Sequence, residues 1–174
     1  MHVAMMHGAP DSTQITLKVR VLPANKAQET DVAKGNTLNP SSEMKGPYRR
    51  YAIDIAADPY TIHMDQASDG NHLAELQFLT YVYDQNGSLL NMENDAVRAN
   101  FPPGLYTQIL HSGLPYHQEI SVPLKGDFYL RIGLHDLVTN RIGSLEVPIG
   151  TVKDLPLLPT STDSKPPSAP SAEK

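Results

Sequence analysis

The sequence predicts an all-β protein: an antiparallel sandwich of immunoglobulin or fibronectin type III character with one short helical insertion. Three observations predict this fold class. Apolar and polar residues alternate along several segments, turn-forming residues separate those segments, and helical spacing occurs in one place. We therefore expect about seven or eight strands and a core of a size that one domain can build.

Three strands are predicted before residue 65. Residues 15–21 alternate until Pro23 stops the strand. Residues 24–47 are small, polar or charged and are interrupted by Gly and Pro, which predicts a long mobile excursion. Residues 51–55 restart the two-residue period, Asp58-Pro59 ends it, and residues 60–64 are predicted to be a short partner strand.

The longest strand candidate spans residues 73–83. One of its faces carries Ala74, Leu76, Phe78, Thr80 and Val82. The sequence Asp-Gln-Asn-Gly at 84–87 is a hairpin signal, so the partner strand should run from Ser88 to Met92 or a little beyond. After Pro102-Pro103-Gly104, helical spacing predicts one or two turns that end at Ser112-Gly113, and a strand with inward residues at 120, 122 and 124 follows.

The last predicted hairpin contains the clearest alternation. Phe128, Leu130, Ile132 and Leu134 alternate with polar or small residues, which predicts one buried and one wet face. Residues 139–143 suit a turn, and the alternation resumes at 145, 147 and 149. We expect the carboxylate of Asp136 to accept from the backbone N–H of Thr139 or Asn140 and so hold this turn.

Composition predicts the domain organisation and excludes several classes of partner. We expect an N-terminal linker at 1–12, a sandwich domain at 13–158 and a disordered, Pro- and Ser-rich tail at 159–174. The formal net charge of -5 argues against nucleic-acid binding. No apolar run approaches the ~20 residues that a membrane span needs, and the N-terminus lacks the pattern of a signal peptide. With no cysteine, the chain forms no disulfide.

Several motifs carry a resemblance to a known family. They are the segments 77–87, 106–114, 126–131 and 141–148, together with a strand containing Val19-Arg20-Val21 and with Asp136. Across most of 13–148 the chain resembles the C-terminal domain of bacterial von Willebrand factor A-related proteins. The resemblance implies a fragment of a longer secreted or periplasmic protein in which residues 7–10 are interdomain linker. It also implies an A-type domain of the same parent chain as a partner, although the Asp-x-Ser-x-Ser metal motif of that domain is absent here.

Metal sites are weakly indicated by the sequence. Oxygen ligands at Asp65, Asp69 and Asn71 could hold a calcium ion, but a polar β-turn uses the same residue types and is the favoured interpretation. The histidine pairs 63 and 72, and 111 and 117, have neither a Cys partner nor the His-Glu-x-x-His arrangement, so no zinc site and no cofactor are expected.

Catalytic motifs are also missing from the sequence. No Gly-x-Ser-x-Gly elbow occurs. The carboxylate pairs Asp54 with Asp58 and Glu93 with Asp95 could serve acid and base chemistry only in a cleft, and exposed strand edges are the expected setting. We therefore expect a chain that is not an enzyme.

A binding face is the remaining functional feature. Alternation places Leu79, Tyr81 and Tyr83 on one face, and Tyr129 joins them if the strands are neighbours. This face either binds a protein or carbohydrate partner or packs beneath residues 24–47. The leading hypothesis is a non-enzymatic accessory or protein-interaction domain. The alternative is a carbohydrate-binding or calcium-stabilised adhesion module, with a hydrolase third.

Overall fold

Ten strands and one α-helix, joined by turns, loops and short 3-10 helices, make up the part of the chain that the computed structural model describes, residues 2–42 and 44–157. The predicted disordered tail at 159–174 lies outside the described residues. The strands are β1 (Ser12–Thr13), β2 (Leu17–Pro23), β3 (Thr37–Leu38), β4 (Tyr48–Ala57), β5 (Asp65–Gln66), β6 (His72–Asp84), β7 (Leu89–Phe101), β8 (Leu114–Pro123), β9 (Phe128–Asp136) and β10 (Ile142–Pro148). The helix α1 is Pro103–Ser112.

Two antiparallel sheets face each other. The larger has seven strands in the order β1-β10-β9-β6-β7-β3, with β5 paired to β6, and the smaller has the order β2-β4-β8. Helix α1 connects β7 in the first sheet to β8 in the second. The prediction of an antiparallel sandwich with one short helical insertion is confirmed.

The core lies between the sheets, where the inward residues of each strand meet. The five residues predicted for the inner face of β6 are all buried, as are the four apolar residues of β9. Phe78 of β6 stacks on Tyr116 of β8 with ring centroids 3.7 Å apart. Strand periodicity therefore placed the core side chains correctly, because each sheet has one face toward the other.

Short-range hydrogen bonds and two glycines determine the predicted turn at 84–87 and the predicted end of the helix. The Asp84 carboxylate accepts hydrogen bonds from the backbone N–H of Asn86 (2.9 Å) and Ser88 (2.8 Å), and Gly87 has a φ of 78°. Gly113 ends α1 with a φ of 85° and donates its N–H to the carbonyl of Ile109. Both glycines adopt a left-handed conformation that other residues enter at a cost, which is why the sequence signals were reliable.

Three expectations were wrong in detail. The strand predicted at residues 60–64 does not form: residues 59–61 are a 3-10 helix, because Asp58 accepts from the N–H of Tyr60 and the fixed φ of Pro59 suits a helical turn. The short strand is β5, at Asp65–Gln66, and it pairs with β6. Strand β7 continues far past Met92, to Phe101. The outward face of β9 is not wet throughout, since Arg131 and Gly133 are buried.

Residues 24–47 contain little regular structure, as predicted, but they are bonded to three strands. Glu29 forms a bridge with Tyr48 of β4, and β3 pairs with β7. The N–H of Ala33 donates to Oγ of Ser121 in β8 at 2.8 Å. This segment closes the side of the sandwich where β7 and β8 approach each other.

The predicted turn role of Asp136 is confirmed. Its Oδ1 accepts from the N–H of Val138 (3.0 Å) and Thr139 (3.1 Å), while its Oδ2 accepts from the N–H of His63 at 2.8 Å. Burial alone would raise its pKa, but these hydrogen bonds to the charged form hold the pKa of Asp136 below its ordinary value. The carboxylate thus joins the β9–β10 turn to the segment after β4.

Within the described residues, α1 is too short and too polar to cross a bilayer, and no other helix there has the length and apolar character of a membrane span.

Candidate functional site

A concave surface lies on the outer face of the three-stranded sheet. Antiparallel pairing aligns Lys18, Ala56 and Pro115 in one row, and Arg20, Asp54 and His117 in the next. These side chains border a cavity of about 570 Å³. We call this surface the outer groove. Its floor is low because Ala56 lies between longer side chains of the two neighbouring strands.

An ion network forms one wall of the outer groove. Both Nε and Nη2 of Arg20 donate to Oδ2 of Asp54, at 3.0 and 2.7 Å. Nδ1 of His117 lies 2.8 Å from Oδ1 of the same carboxylate. Burial alone would raise the pKa of Asp54, but the hydrogen bonds from His117 and Arg20 hold it below its ordinary value. The carboxylate therefore stays charged and orients the Arg20 guanidinium and the His117 imidazole.

The outer groove has more cationic than anionic groups. Lys18 is exposed, and among the described residues it has no carboxylate within ion-pair distance. Nε2 of His117 also has no hydrogen-bond partner among the described residues. A ligand carboxylate could be bound between these two groups while an apolar part of the ligand covers Ala56 and Pro115.

A second polar cluster is buried on the opposite side of that sheet, in the interface between β7 and β8. Glu93 is 8% exposed, and Nδ2 of Asn36 lies 3.4 Å from its Oε2. Burial, and then the charge of neighbouring Asp95, raise the pKa of Glu93 to about 7. The hydroxyl of Tyr116 donates to Oδ2 of Asp95 at 3.1 Å. The expectation of an exposed strand edge for Glu93 was wrong, because residues 24–47 cover that edge.

The three residues considered for calcium lie near one another in sequence but make separate contacts. Oδ1 of Asp65 lies 2.9 Å from Nε2 of His63. Asp69 accepts from both the backbone and the side-chain N–H of Asn71, at 3.0 and 3.1 Å. Over the described ranges 2–42 and 44–157, no group of three or more His, Cys, Asp or Glu side chains is arranged to hold a metal.

The aromatic-face residues do come together, since β6 and β9 pair with Leu79 opposite Gly133 and Tyr83 opposite Tyr129. Leu79 and Tyr83 are buried, while Tyr81 and Tyr129 are half-buried. The hydroxyl of Tyr83 donates to the carbonyl of Met5 at 2.8 Å. The face is therefore covered in part, but by the N-terminal residues and not by residues 24–47 as one interpretation proposed.

Comparisons with known proteins give little beyond this description. No family model and no curated protein matches the chain. A solved structure to which it is similar is the crystal structure of the Putative ApaA Protein from Bordetella pertussis, with 13% identity over 77% of this chain and 86% of that chain. The TM-score is 0.27, so this similarity supports no conclusion about fold or function.

Sequence reasoning did not bring the outer groove together. The alternation of β2 placed Lys18 and Arg20 on the outward face, and that signal was available. The position of His117 opposite Asp54 depends on the register between β4 and β8, which lie 63 residues apart at this pair. No local pattern specifies such a register.

Proposed function

We propose that this chain is a non-enzymatic interaction domain that binds an acidic protein surface through the outer groove. The observation that carries the proposal is the concentration of cationic side chains around a low apolar floor in a chain whose formal net charge is -5. Such a local reversal of charge attracts carboxylates and disfavours basic partners.

The side chains of Arg20, Lys18 and His117 have different roles in this proposal. Arg20 donates two hydrogen bonds to Asp54, so one edge of its guanidinium group is already occupied. Among the described residues, the ammonium group of Lys18 forms no ion pair. It is therefore the group to which a carboxylate of the partner binds. His117 is oriented by Asp54 through Nδ1, and its Nε2 donates to a ligand carboxylate in the imidazolium form of the ring. Recognition by one lysine and one histidine favours an aspartate or glutamate side chain over a larger anion.

The side chains around the outer groove support binding in preference to catalysis. They include a histidine oriented by a carboxylate, but no serine, threonine or cysteine lines this cavity. A hydroxyl or thiol nucleophile activated by a histidine has to lie within hydrogen-bond reach of that base. The outer groove thus has polar groups that orient a ligand, while its lining residues include no serine, threonine or cysteine nucleophile for His117 to activate.

The sequence resemblance extends the proposal to a class of parent protein. It supports placing the chain in an exported bacterial von Willebrand factor A-related protein, secreted or periplasmic, with an A-type domain of the same parent as the partner. The strand order also supports immunoglobulin-like or fibronectin type III character, because the longer strands are divided as β2-β4-β8 against β10-β9-β6-β7.

Amide-resolved NMR titration of the full chain with a hexaglutamate peptide tests the groove. We expect shifts at Lys18, Ala56 and His117, no comparable shifts with hexalysine, and loss of the hexaglutamate shifts in Lys18→Glu. The control is Lys125→Glu, which makes the same charge change at an exposed residue outside the outer groove. Equal shifts with both peptides, or shifts that survive Lys18→Glu, would contradict the proposal.

A second titration tests the partner separately. The purified A-type domain of the parent protein replaces the peptide, with calcium present and then chelated. Shifts at the same groove residues in both conditions support the partner assignment. Binding of hexaglutamate without binding of the A-type domain would leave the groove in place and refute that partner. Shifts at Asp65, Asp69 and Asn71 that disappear on chelation would support the calcium-stabilised alternative instead.

A further inference from the structure

The opposite outer face, on the seven-stranded sheet, holds a buried arginine that contacts the start of the chain. Arg131 of β9 is fully buried, and its Nε donates to the carbonyl of Ala4 at 2.9 Å. Its Nη2 donates to the carbonyl of Pro10, and its Nη1 to the carboxylate of Asp11, both at 2.8 Å. The fourth contact is Oγ of Ser144 at 3.1 Å. We call residues 2–11 the N-terminal segment; it supplies three of the four hydrogen-bond partners of this cation.

Two more side chains of the sheet bind the backbone of the N-terminal segment. Oε2 of Glu146 accepts from the N–H of Gly8 at 3.0 Å and lies 3.1 Å from Nδ1 of His7. The hydroxyl of Tyr83 donates to the carbonyl of Met5 at 2.8 Å. Together with Arg131, these groups contact backbone atoms at positions 4, 5, 8 and 10. The N-terminal segment begins with a 3-10 helix, His2–Met5, and these repeated backbone contacts fix its position along the sheet.

Two side chains of the N-terminal segment, Met5 and His7, pack against specific residues of the seven-stranded sheet. Met5 is 1% exposed, and it packs over Gly133, where a Cβ atom would collide with the methionine sulfur. The imidazole of His7 packs at a tilted angle against Tyr129, with ring centroids 4.4 Å apart, and is stacked with Tyr83 at a centroid distance of 6.1 Å. The face thus has a recess for an apolar side chain at position 5 and aromatic side chains that contact the residue at position 7. These two features favour particular residue types in a bound peptide.

We propose that this outer face is a peptide-binding site whose ligand is the N-terminal segment, and that it accepts the same segment from a second copy of the chain. Every contact above joins residues that are far apart in sequence, so recognition does not depend on the covalent connection. The connection acts by raising the effective concentration of the segment to the millimolar range of short tethers (roughly 1 mM). A peptide supplied in trans is therefore excluded unless the chain's own segment is released.

The test uses the full chain with the substitutions Met5→Asp, His7→Ala and Asp11→Ala, which weaken the segment and leave the face intact. The probe is a synthetic peptide of residues 2–12 with a C-terminal fluorophore, measured by fluorescence anisotropy. We expect saturable binding to this segment variant and at least roughly tenfold weaker binding to the unmodified chain, whose site is occupied. A peptide carrying the same three substitutions is the matched control and should not bind.

Two further variants assign the binding to the proposed face. Adding Arg131→Gln or Glu146→Gln to the segment variant should each weaken peptide binding by roughly tenfold or more, as expected when a charged partner of a hydrogen bond is removed. Glu146 is partly exposed, so its substitution keeps the test valid if the arginine variant does not fold. Far-UV circular dichroism and methyl NMR spectra establish that each variant is folded.

The proposal is refuted if a folded segment variant binds neither peptide at millimolar concentration, or binds both equally. Should the triple variant fail to fold, the double variant His7→Ala with Asp11→Ala takes its place under the same criteria, because both positions are solvent-accessible. Dimer formation by the unmodified chain at high concentration, abolished by Glu146→Gln, would support exchange between copies. These outcomes do not involve the outer groove, so they leave the proposed function untouched.

Discussion

Replacing Glu93 with glutamine should stabilise the protein at neutral and alkaline pH and have much less effect in acid. Glu93 is buried in the interface between the sheets, close to the carboxylate of Asp95, and its pKa is raised to about 7. Glutamine has nearly the same shape, keeps an oxygen that can accept from Asn36, and has no charge to bury. The substitution therefore removes the cost of ionisation with little change in packing.

The sign and size of the effect follow from the two pKa values. The folded state binds this proton more tightly than the unfolded state, whose ordinary value is 4.5. The contribution of Glu93 to stability is therefore fully present below pH 4.5 and is lost as the pH rises through about 7. A shift of this size corresponds to about 3 kcal/mol in total, of which about 2.5 kcal/mol falls between roughly pH 5 and pH 8.

Urea denaturation of the unmodified chain and Glu93→Gln, near pH 5 and near pH 8, measures this difference. We expect the advantage of the variant in free energy of unfolding to grow by about 2–3 kcal/mol between the two conditions. Glu75→Gln is the control, since Glu75 lies on the neighbouring strand with a partly exposed side chain. An advantage that is the same at both pH values would refute the reasoning that Glu93 is protonated in the folded protein at low pH.

Four other substitutions test individual positions of the fold. Gly133→Ala should cost about 1–3 kcal/mol and increase amide exchange in the N-terminal segment, and Met5→Ala should relieve part of that cost by removing the collision. Asp136→Asn should cost about 1–3 kcal/mol in urea denaturation at neutral pH. Because the folded pKa of Asp136 is depressed, that cost should shrink as the pH falls below its ordinary value of 3.8. Gly87→Ala should cost roughly 1 kcal/mol in thermal unfolding, because its φ of 78° is left-handed.

The parts of this fold that sequence predicts well are those whose partners are local. Asp136 was predicted to hold a turn by accepting from the N–H of Thr139 or Asn140, and its Oδ1 accepts from the N–H groups two and three residues away, those of Val138 and Thr139. The helix end at Gly113 and the hairpin at Gly87 are local in the same sense. In each case one residue type satisfies a backbone requirement at a fixed offset, so the pattern and the physical cause lie within the same few residues.

Arg131 and Glu93 show why other predictions failed. Alternation correctly placed Arg131 on the outward face of β9, but outward does not mean exposed when another segment covers the sheet. The covering atom nearest to its Nε belongs to Ala4, 127 residues away in the chain. Glu93 is buried by Asn36 and the residues around it, 57 positions away. Burial of this kind depends on which distant segments pack over the sheets. The two-residue alternation within a strand does not indicate which segments those are.

The two outer faces of the sandwich differ in what they contribute to folding. Arg131 has no exposed surface, so uncovering it would remove three hydrogen bonds from a cation inside the protein. Loss of the partners of a buried charge costs several kcal/mol, which ties the N-terminal segment to the stability of the sheet. Lys18, in contrast, is exposed and belongs to no ion pair in the described part of the chain. Substitutions at such surface positions are usually close to neutral, so the charge at Lys18, and with it the binding that we propose for the outer groove, can change at little cost to the fold.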